Sequence, residues 1–380
     1  MRLQFLPLFL LLSIVSAAQT YTESILYSFP LTANDYQVHP GNLVVDPAGN
    51  LYGAALNGGV CGTMSCGTIF KLSTKGVLST LYNFTGGADG AYPCCLVIDK
   101  SANLYGTTSS GALGYGTVFK FATATKKFST LHQFGRLSTD GLTPGWLTLG
   151  SDGNLYGATS TGGAYGNGVT FEVTPNGKES IVYNFTYTLA SPLLGNVLRN
   201  NIGDLYTTSP GDDGAFLQIT PKGVESVLAS NIGVGEGCSE LQGYVARNSN
   251  GNFYGSYYCG FEGAGLWEVN GSDDAVSYYT ADYGDCALVE LSGPLLFSGG
   301  SLYGTMNTDY GQSSTCEGAV YKFSPSTGLQ TILYNFGATP TDGAYPFEGV
   351  TLDTAGNLYG TTDGGGVFGY GTIFKLTKNN

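Results

Sequence analysis

A short motif built on Leu-Tyr-Gly returns at regular intervals from one end of the chain to the other. The fourth copy reads Leu-Tyr-Thr and the fifth Phe-Tyr-Gly. The tyrosines lie about 50 residues apart, at Tyr52, Tyr105, Tyr156, Tyr206, Tyr254, Tyr303 and Tyr359. This spacing is typical of a propeller or solenoid, in which one unit cannot bury its apolar residues alone. The sequence therefore predicts seven repeated units, none of which folds alone.

Each unit contains four short apolar segments separated by turn residues. In the first unit they are residues 42–46, 51–55, 67–72 and 78–84. The pair Gly49-Asn50 stands between the first two segments, and both residue types tolerate the positive φ of a tight turn. Four short strands per unit, without helical periodicity, predict a propeller blade.

The two ends of the sequence predict how the blades close into a ring. The last unit has three strands, at residues 350–353, 358–362 and 372–376, and its fourth is matched by residues 25–29. A strand shared in this way removes the free sheet edges that promote aggregation. We expect an all-β, seven-bladed β-propeller with four strands per blade, forming a single domain over residues 19–380. The alternative, a linear solenoid, does not need this offset between the ends.

Four segments recur within the units: Gly-Asn-Leu-Tyr-Gly-Thr-Thr, Gly-Thr-Ile-Phe-Lys-Leu, Leu-Tyr-Asn-Phe and Asp-Gly-Ala-Tyr-Pro. They are clearest in residues 49–93 and 333–376. Together they resemble the GloVer tandem repeat of exported bacterial proteins, over nearly all of the mature chain. The resemblance implies a propeller-like repeat and no particular activity. Members of that family often end in an anchoring segment, which we do not find at Lys378-Asn379-Asn380.

Residues 1–18 predict a secretory signal peptide. Arg2 supplies the positive charge, residues 5–15 are apolar, and Ser16-Ala17-Ala18 precedes an expected cleavage at Gln19. The apolar run is too short to span a bilayer. We therefore expect a secreted, extracellular or periplasmic protein.

The charge of the chain limits its partners. The formal net charge is −13, and only 11% of the residues are charged. Nucleic acids and anionic membranes are bound by clustered Lys and Arg, so we expect neither nucleic-acid binding nor membrane insertion. We expect a monomer that binds an extracellular glycan or protein, without a cofactor and without a metal ion.

Eight cysteines in an exported chain predict disulfides. Cys238 precedes blade 5 and Cys259 lies in the long loop of that blade, and Cys286 and Cys316 have the same relation in blade 6. We therefore expect Cys238 to pair with Cys259, and Cys286 with Cys316. The other four should pair among themselves in one of three orders; they are Cys61, Cys66, Cys94 and Cys95. A cysteine metal site is the alternative, which the lack of a histidine near them in sequence disfavours.

In each predicted blade, the loop between strands two and three and the loop to the next blade are long. Both emerge on the same side of the ring, which we call the long-loop face. Function on a rigid scaffold concentrates in such loops, and aromatic rings suit both sugar faces and protein surfaces. The ligand-binding candidates there are Tyr92, Trp146, Tyr165, Tyr310, Tyr345, Tyr370, Asp89, Asp140 and Asp342. The three aspartates belong to a recurring Asp-Gly, which forms either a carboxylate ring for calcium or sugar hydroxyls, or a turn that fixes each blade junction. The repetition favours the turn.

Catalytic motifs are missing from the sequence: there is no G-x-S-x-G, no H-E-x-x-H and no phosphate loop. Of the two histidines, His39 and His132, the second replaces a recurring tyrosine, which predicts a structural role. Glu290 and Glu348 stand near the entrances of first strands, at the predicted mouth of the channel. Paired carboxylates there suit glycoside hydrolysis or lyase chemistry. We expect a binding or scaffold protein, with a polysaccharide hydrolase or lyase and a purely structural envelope component as the alternatives.

Overall fold

The computed structural model describes residues 21–31, 40–59, 61, 65–111, 113–186, 195–209, 214–230, 232, 240–258, 264–271, 276–280, 289–308 and 317–379. The described residues form seven four-stranded antiparallel sheets, which are the blades of a propeller. This confirms the predicted fold class. Among these residues there is no helix of the length and apolarity that crossing a membrane requires. The predicted signal peptide lies outside the described residues.

The first described strand is β1 (Tyr21–Ser28), and the strands that follow it form six complete blades in sequence order. The strands of blades 1 to 3 are β2 (Pro40–Val45), β3 (Leu51–Ala55), β4 (Thr68–Leu72), β5 (Leu78–Asn83), β6 (Ala91–Ile98), β7 (Asn103–Ser110), β8 (Thr117–Ala122), β9 (Lys127–Gln133), β10 (Gly141–Leu149), β11 (Leu155–Gly162), β12 (Val169–Val173) and β13 (Glu179–Asn184). Those of blades 4 to 6 are β14 (Leu198–Arg199), β15 (Leu205–Ser209), β16 (Ala215–Ile219), β17 (Glu225–Ala229), β18 (Glu240–Arg247), β19 (Phe253–Tyr258), β20 (Ala264–Val269), β21 (Val276–Thr280), β22 (Val289–Ser298), β23 (Ser301–Thr308), β24 (Ala319–Ser324) and β25 (Leu329–Asn335).

Blade 7 combines both ends of the chain. Its C-terminal strands are β27 (Val350–Leu352), β28 (Leu358–Thr362) and β30 (Thr372–Lys378), and a short ribbon of β26 (Gly343–Ala344) and β29 (Gly364–Gly365) lies beside them. The first strands of neighbouring blades contact one another, so they line the centre of the ring and the fourth strands lie outside.

The ring closes through β1. This strand pairs antiparallel with β30, from Tyr21 opposite Lys378 to Ser28 opposite Thr372. The N-terminal strand thus completes the last blade, as predicted, although it begins four positions before the predicted start. The alternative of a linear solenoid is wrong.

The core is divided among the blade junctions. The described buried apolar residues form seven clusters, one between each pair of neighbouring blades. Leu104 of the repeated motif packs toward blade 1, whereas Tyr105 packs toward blade 3. Successive side chains of a strand point to opposite faces, so each copy of the motif contributes to two junctions.

The glycine of the motif lies under an aromatic ring of the neighbouring strand. Gly53 is opposite Phe70, and a Cβ added to Gly53 would lie 2.3 Å from Cζ of that ring. The same pairing recurs in five further blades, as Gly106 with Phe119, Gly157 with Phe171, Gly255 with Trp267, Gly304 with Tyr321 and Gly360 with Phe374. Blade 4 has Thr207 in place of the glycine, and its partner is the smaller Leu217. A larger residue at the glycine position is therefore accompanied by a smaller residue opposite it, which keeps the total volume of the two facing side chains similar.

We expect Gly53→Thr to destabilise the protein by about 1–3 kcal/mol, since the added side chain collides with the Phe70 ring. Adding Phe70→Leu reproduces the blade 4 pair and should recover part of that loss. Thermal unfolding of the two single variants and the double variant measures the coupling between the sites. Strictly additive changes in unfolding free energy would contradict the volume argument.

A carboxyl pair lies where the ring closes, with Asp342 buried and Glu23 half-buried. Glu23 of β1 lies beside Asp342 and Tyr334, and the Tyr334 hydroxyl donates to Asp342 Oδ2 at 3.0 Å and lies 3.4 Å from Glu23 Oε2. Burial, the Asp342 charge and a hydrogen bond with Asp342 raise the pKa of Glu23 from 4.5 to about 8. Between these two pH values the folded chain holds a proton that the unfolded chain releases, so stability falls as pH rises.

Glu23→Gln should therefore raise the melting temperature at pH 8 and have a smaller effect near pH 5, where Glu23 is protonated in the folded protein. Differential scanning calorimetry from pH 5 to pH 8 follows the effect, with Glu172→Gln in blade 3 as a carboxylate control away from ring closure. A gain from Glu23→Gln that is equal at both ends of this range would show that proton uptake at the closure does not set the trend.

Candidate functional site

The aspartates of the three Asp-Gly loops are buried within the blade junctions. Asp89 accepts hydrogen bonds from the Thr85 N–H at 2.8 Å and from the Tyr82 hydroxyl at 2.9 Å. Asp342 accepts in the same way from Ala338 N–H and Tyr334. Asp140 accepts from the N–H of Gly135. These contacts give the aspartates the junction-fixing role that the sequence offered as the alternative to a calcium or sugar site.

The residue before the proline in each of these loops has a left-handed backbone. Tyr92, Thr143 and Tyr345 have φ of 56°, 57° and 58°. Each donates its N–H to a carbonyl just before the third strand of the preceding blade, at 2.7–3.0 Å. This conformation costs a non-glycine residue about 1–3 kcal/mol, so the surrounding contacts must hold it. The rings of Tyr92 and Tyr345 are half-buried as a result.

The centre of the ring is formed by bulges in the inner strands. At two of them an asparagine bridges neighbouring blades: Asn42 exchanges two hydrogen bonds of 2.9 Å with the backbone of Leu96. Asn196 exchanges two with the backbone of Val245, at 2.8 and 3.0 Å. These bonds satisfy backbone groups that a bulge leaves unpaired.

Aromatic residues occupy the same bulge position in blades 3 and 5. Trp146 of β10 and Tyr244 of β18 meet edge to face, with ring centroids 5.3 Å apart. Because these blades are not neighbours, the contact spans the centre of the ring. Trp146 therefore lies in an inner strand and is 8% exposed, rather than in a loop.

The two carboxylates predicted at the channel mouth both act on Tyr244. Burial raises the pKa of Tyr244 far above its usual range, and the charges of Glu348 and Glu290 add to the effect. Glu348 itself is half-buried, and burial and the charge of Asp363 raise its pKa to about 7. Tyr244 thus contacts Trp146 and is within reach of the charges of Glu290 and Glu348. We call these four residues the central cluster. Tyr244 was missed in the sequence, although it occupies the repeat position of Trp146.

A cavity of ≈390 Å³ opens at the junction of blades 6 and 7. Its lining includes Glu317, Tyr345, Thr339 and Pro340. Burial and the charge of Asp342 raise the pKa of Glu317. Glu317 was missed in the sequence; the same position, before the glycine of the third strand, holds Cys66, Tyr115, Asn167, Asp213 or Tyr370 in other blades.

The loops between strands two and three present apolar side chains at their tips. Leu113, Tyr165 and Phe368 occupy the same position in blades 2, 3 and 7, and they are 44%, 62% and 55% exposed. In all three loops the next residue is a glycine whose N–H donates to a carbonyl three residues back, at 2.8–3.3 Å. In blade 3 the Ala164 N–H also donates to Asn184 Oδ1. The tips are therefore held as defined turns.

The described cysteines pair among themselves. The structure bonds Cys61 to Cys66 and pairs the neighbouring residues Cys94 and Cys95, one of the three orders that the sequence left open. Cys94 and Cys95 lie within β6 rather than in a loop. Tyr370 is half-buried beside the third strand of blade 7. The remaining candidates lie outside the described residues: Tyr310, Cys238, Cys259, Cys286 and Cys316.

Several solved structures are similar to this chain, and they belong to proteins of different activities. A puromycin-hydrolyzing peptidase of Mycobacterium tuberculosis has a TM-score of 0.59 at 10% identity, over 89% of this chain and 51% of that one. A fungal alcohol oxidase in complex with copper has a TM-score of 0.56 at 12% identity, over 95% and 77%. A gluconolactonase of Xanthomonas campestris has a TM-score of 0.48 at 14% identity, over 94% and 90%. At these identities the likeness concerns the fold alone. This chain spans about half the length of the peptidase.

Comparison at the sequence level identifies the repeat. No curated protein matches the sequence. The family described as the Gloeobacter/Verrucomicrobia repeat matches residues 12–213, more than half of the chain. With its blades built on that repeat, the chain belongs to the Gloeobacter/Verrucomicrobia repeat family.

Proposed function

We propose that this chain is an exported binding protein that holds an extracellular glycan on its long-loop face. The observation that carries the proposal is the set of apolar loop tips at Leu113, Tyr165 and Phe368. They stand exposed at one repeated position, and two of them are aromatic. Aromatic rings in such positions suit sugar faces and protein surfaces alike.

The rigidity of these loops supports a binding role. Each tip is held by the backbone hydrogen bond across its turn, and the loop of blade 3 is also held by Asn184. A loop whose backbone is already ordered loses little conformational entropy when a ligand binds. The tips are spaced around a ring, which suits a long polymer that touches several blades at once.

The charge of the chain narrows the class of glycan. With a formal net charge of −13, the protein repels a polyanionic polysaccharide. An uncharged or amino-sugar polymer meets no such barrier, and its sugar faces can stack on Tyr165 and Phe368. We therefore favour a neutral or cationic glycan over an acidic one.

Replacing Tyr165 and Phe368 together by alanine should weaken glycan binding by about tenfold or more, since interface aromatic residues commonly contribute more than 1 kcal/mol each. A glycan array identifies the ligand, and isothermal titration then compares the variant with the unaltered protein. Ile202→Ala is the matched control, because Ile202 is 79% exposed in a turn on the opposite face. Equal losses in the variant and the control, or binding to proteins without binding to any glycan, would refute the proposal.

A polysaccharide hydrolase or lyase is the second candidate, and the state of Glu348 favours it. A carboxyl group with a pKa of about 7 is partly protonated at neutral pH, so it can donate a proton to a leaving group. Such chemistry uses a second carboxyl group, and Glu290, whose charge acts on the same Tyr244 as that of Glu348, is the candidate for it.

If Glu348 is the general acid, product release should fall as the pH rises through about 7, where Glu348 loses its proton. Glu348→Gln should abolish release while leaving glycan affinity unchanged. A reducing-sugar assay together with absorbance of unsaturated products measures both reaction types. Equal product release by the variant and the unaltered protein would exclude Glu348 as the general acid. If no glycan that binds on the array is cleaved, the hydrolase or lyase is excluded and only the binding function remains.

A further inference from the structure

The outer ends of three blade junctions can be compared position by position. Each has a residue of one fourth strand, the aspartate of the Asp-Gly loop, and a residue of the next fourth strand. The sets are Tyr82, Asp89 and Phe128 between blades 1 and 2; His132, Asp140 and Glu179 between blades 2 and 3; and Tyr334, Asp342 and Glu23 between blades 6 and 7. Only the middle set of these three places an imidazole between two carboxyl groups.

In two of these junctions the polar side chains have ordinary hydrogen-bond partners. Between blades 1 and 2 the Tyr82 hydroxyl donates to Asp89, and Phe128 stacks on Tyr82 with centroids 4.1 Å apart. Between blades 6 and 7 Tyr334 donates to Asp342, and Glu23 shares a hydrogen bond with the same aspartate. In both, the aspartate has a hydroxyl donor at 2.9–3.0 Å.

The junction of blades 2 and 3 is different. His132 Nε2 lies 3.4 Å from Asp140 Oδ1, which is longer than a normal N–H to oxygen hydrogen bond. One ligand atom from each of His132, Asp140 and Glu179 falls within 4.8 Å of the others. In a tetrahedral zinc site with bonds near 2.1 Å, two ligand atoms are about 3.4 Å apart. The separation of the imidazole and the carboxylate therefore suits two ligands of one ion better than a direct hydrogen bond.

The surroundings orient these groups as ligands. The other oxygen of Asp140 accepts the Gly135 N–H at 2.9 Å, which directs Oδ1 toward His132. The His132 ring is held edge to face on Phe134, with centroids 4.7 Å apart. Glu179 Oε1 is buried and has no hydrogen-bond partner among the described residues. A buried carboxylate oxygen without a donor is costly, and a cation would satisfy it.

We propose that His132, Asp140 and Glu179 bind one divalent transition-metal ion at the outer end of the junction between blades 2 and 3. One imidazole nitrogen and two carboxylate oxygens are a donor set suited to Zn²⁺, with a fourth position left for water or another ligand. The three residues come from β9, β13 and the loop between blades, so the ion links two blades. The sequence predicts no metal and a structural role for His132, and the fold brings Glu179 to it.

Zinc titration of the full protein tests the site. After EDTA treatment and dialysis, isothermal titration with ZnCl₂ should give one ion per chain, and Zn²⁺ should raise the melting temperature. His132→Tyr reproduces the junction of blades 6 and 7, so it should fold while weakening zinc affinity by at least about tenfold. Glu179→Gln removes the second carboxylate without changing its size, and should weaken affinity comparably.

The chain supplies its own control, because His39 is the other histidine. His39→Ala should leave zinc affinity unchanged. The proposal fails if no saturable zinc binding occurs, since the contact between His132 and Asp140 would then be structural only. It also fails if Glu179→Gln and His132→Tyr bind zinc as tightly as the unaltered protein, or if Ca²⁺ binds at this site and Zn²⁺ does not.

Discussion

The pairing of β1 with β30 joins the two ends of the described chain, and every blade junction depends on it. The described apolar core is divided into seven layers, each made by two neighbouring blades. Such a ring is complete only when the last blade offers an intact sheet to the first. The cluster between blades 7 and 1 contains Ile373 of β30 together with Leu43 and Phe70, so closure also buries apolar surface. The edge of β30 is protected by hydrogen bonds with β1 in the same arrangement.

Repetition and departure from it have different roles in this ring. The glycine of the repeated motif makes room for an aromatic ring, and the Asp-Gly loops fix the junctions. Some residues differ from their counterparts in other blades: His132 stands where blades 1 and 6 have tyrosine, and Trp146 and Tyr244 stand where blades 1 and 4 have asparagine. Each adds a charge, a ring or a ligand atom to a position whose backbone the repeat has already set. A propeller can thus acquire chemistry without changing its architecture.

Much of the fold could be predicted from the sequence, because it rests on local signals. The four segments per unit, the turn residues between them and the offset at the ends predicted the blades and the closing strand to within a few residues. The aromatic contact within the central cluster could not be predicted, because bulges shift the register of inner strands such as β10 and β18. A shift of this kind changes which side chains face the axis, and no local pattern gives its position. The meeting of Trp146 with Tyr244, and of His132 with Glu179, joins separate blades that the sequence alone does not align.

The claim that β1 closes the ring is tested most directly by a chain that begins at residue 30. Its melting temperature and its size in solution can be compared with those of a chain that begins at Gln19. If β1 completes blade 7, the shorter chain should melt at a lower temperature and associate through the exposed edge of β30. A monomer with an unchanged melting temperature would contradict this account.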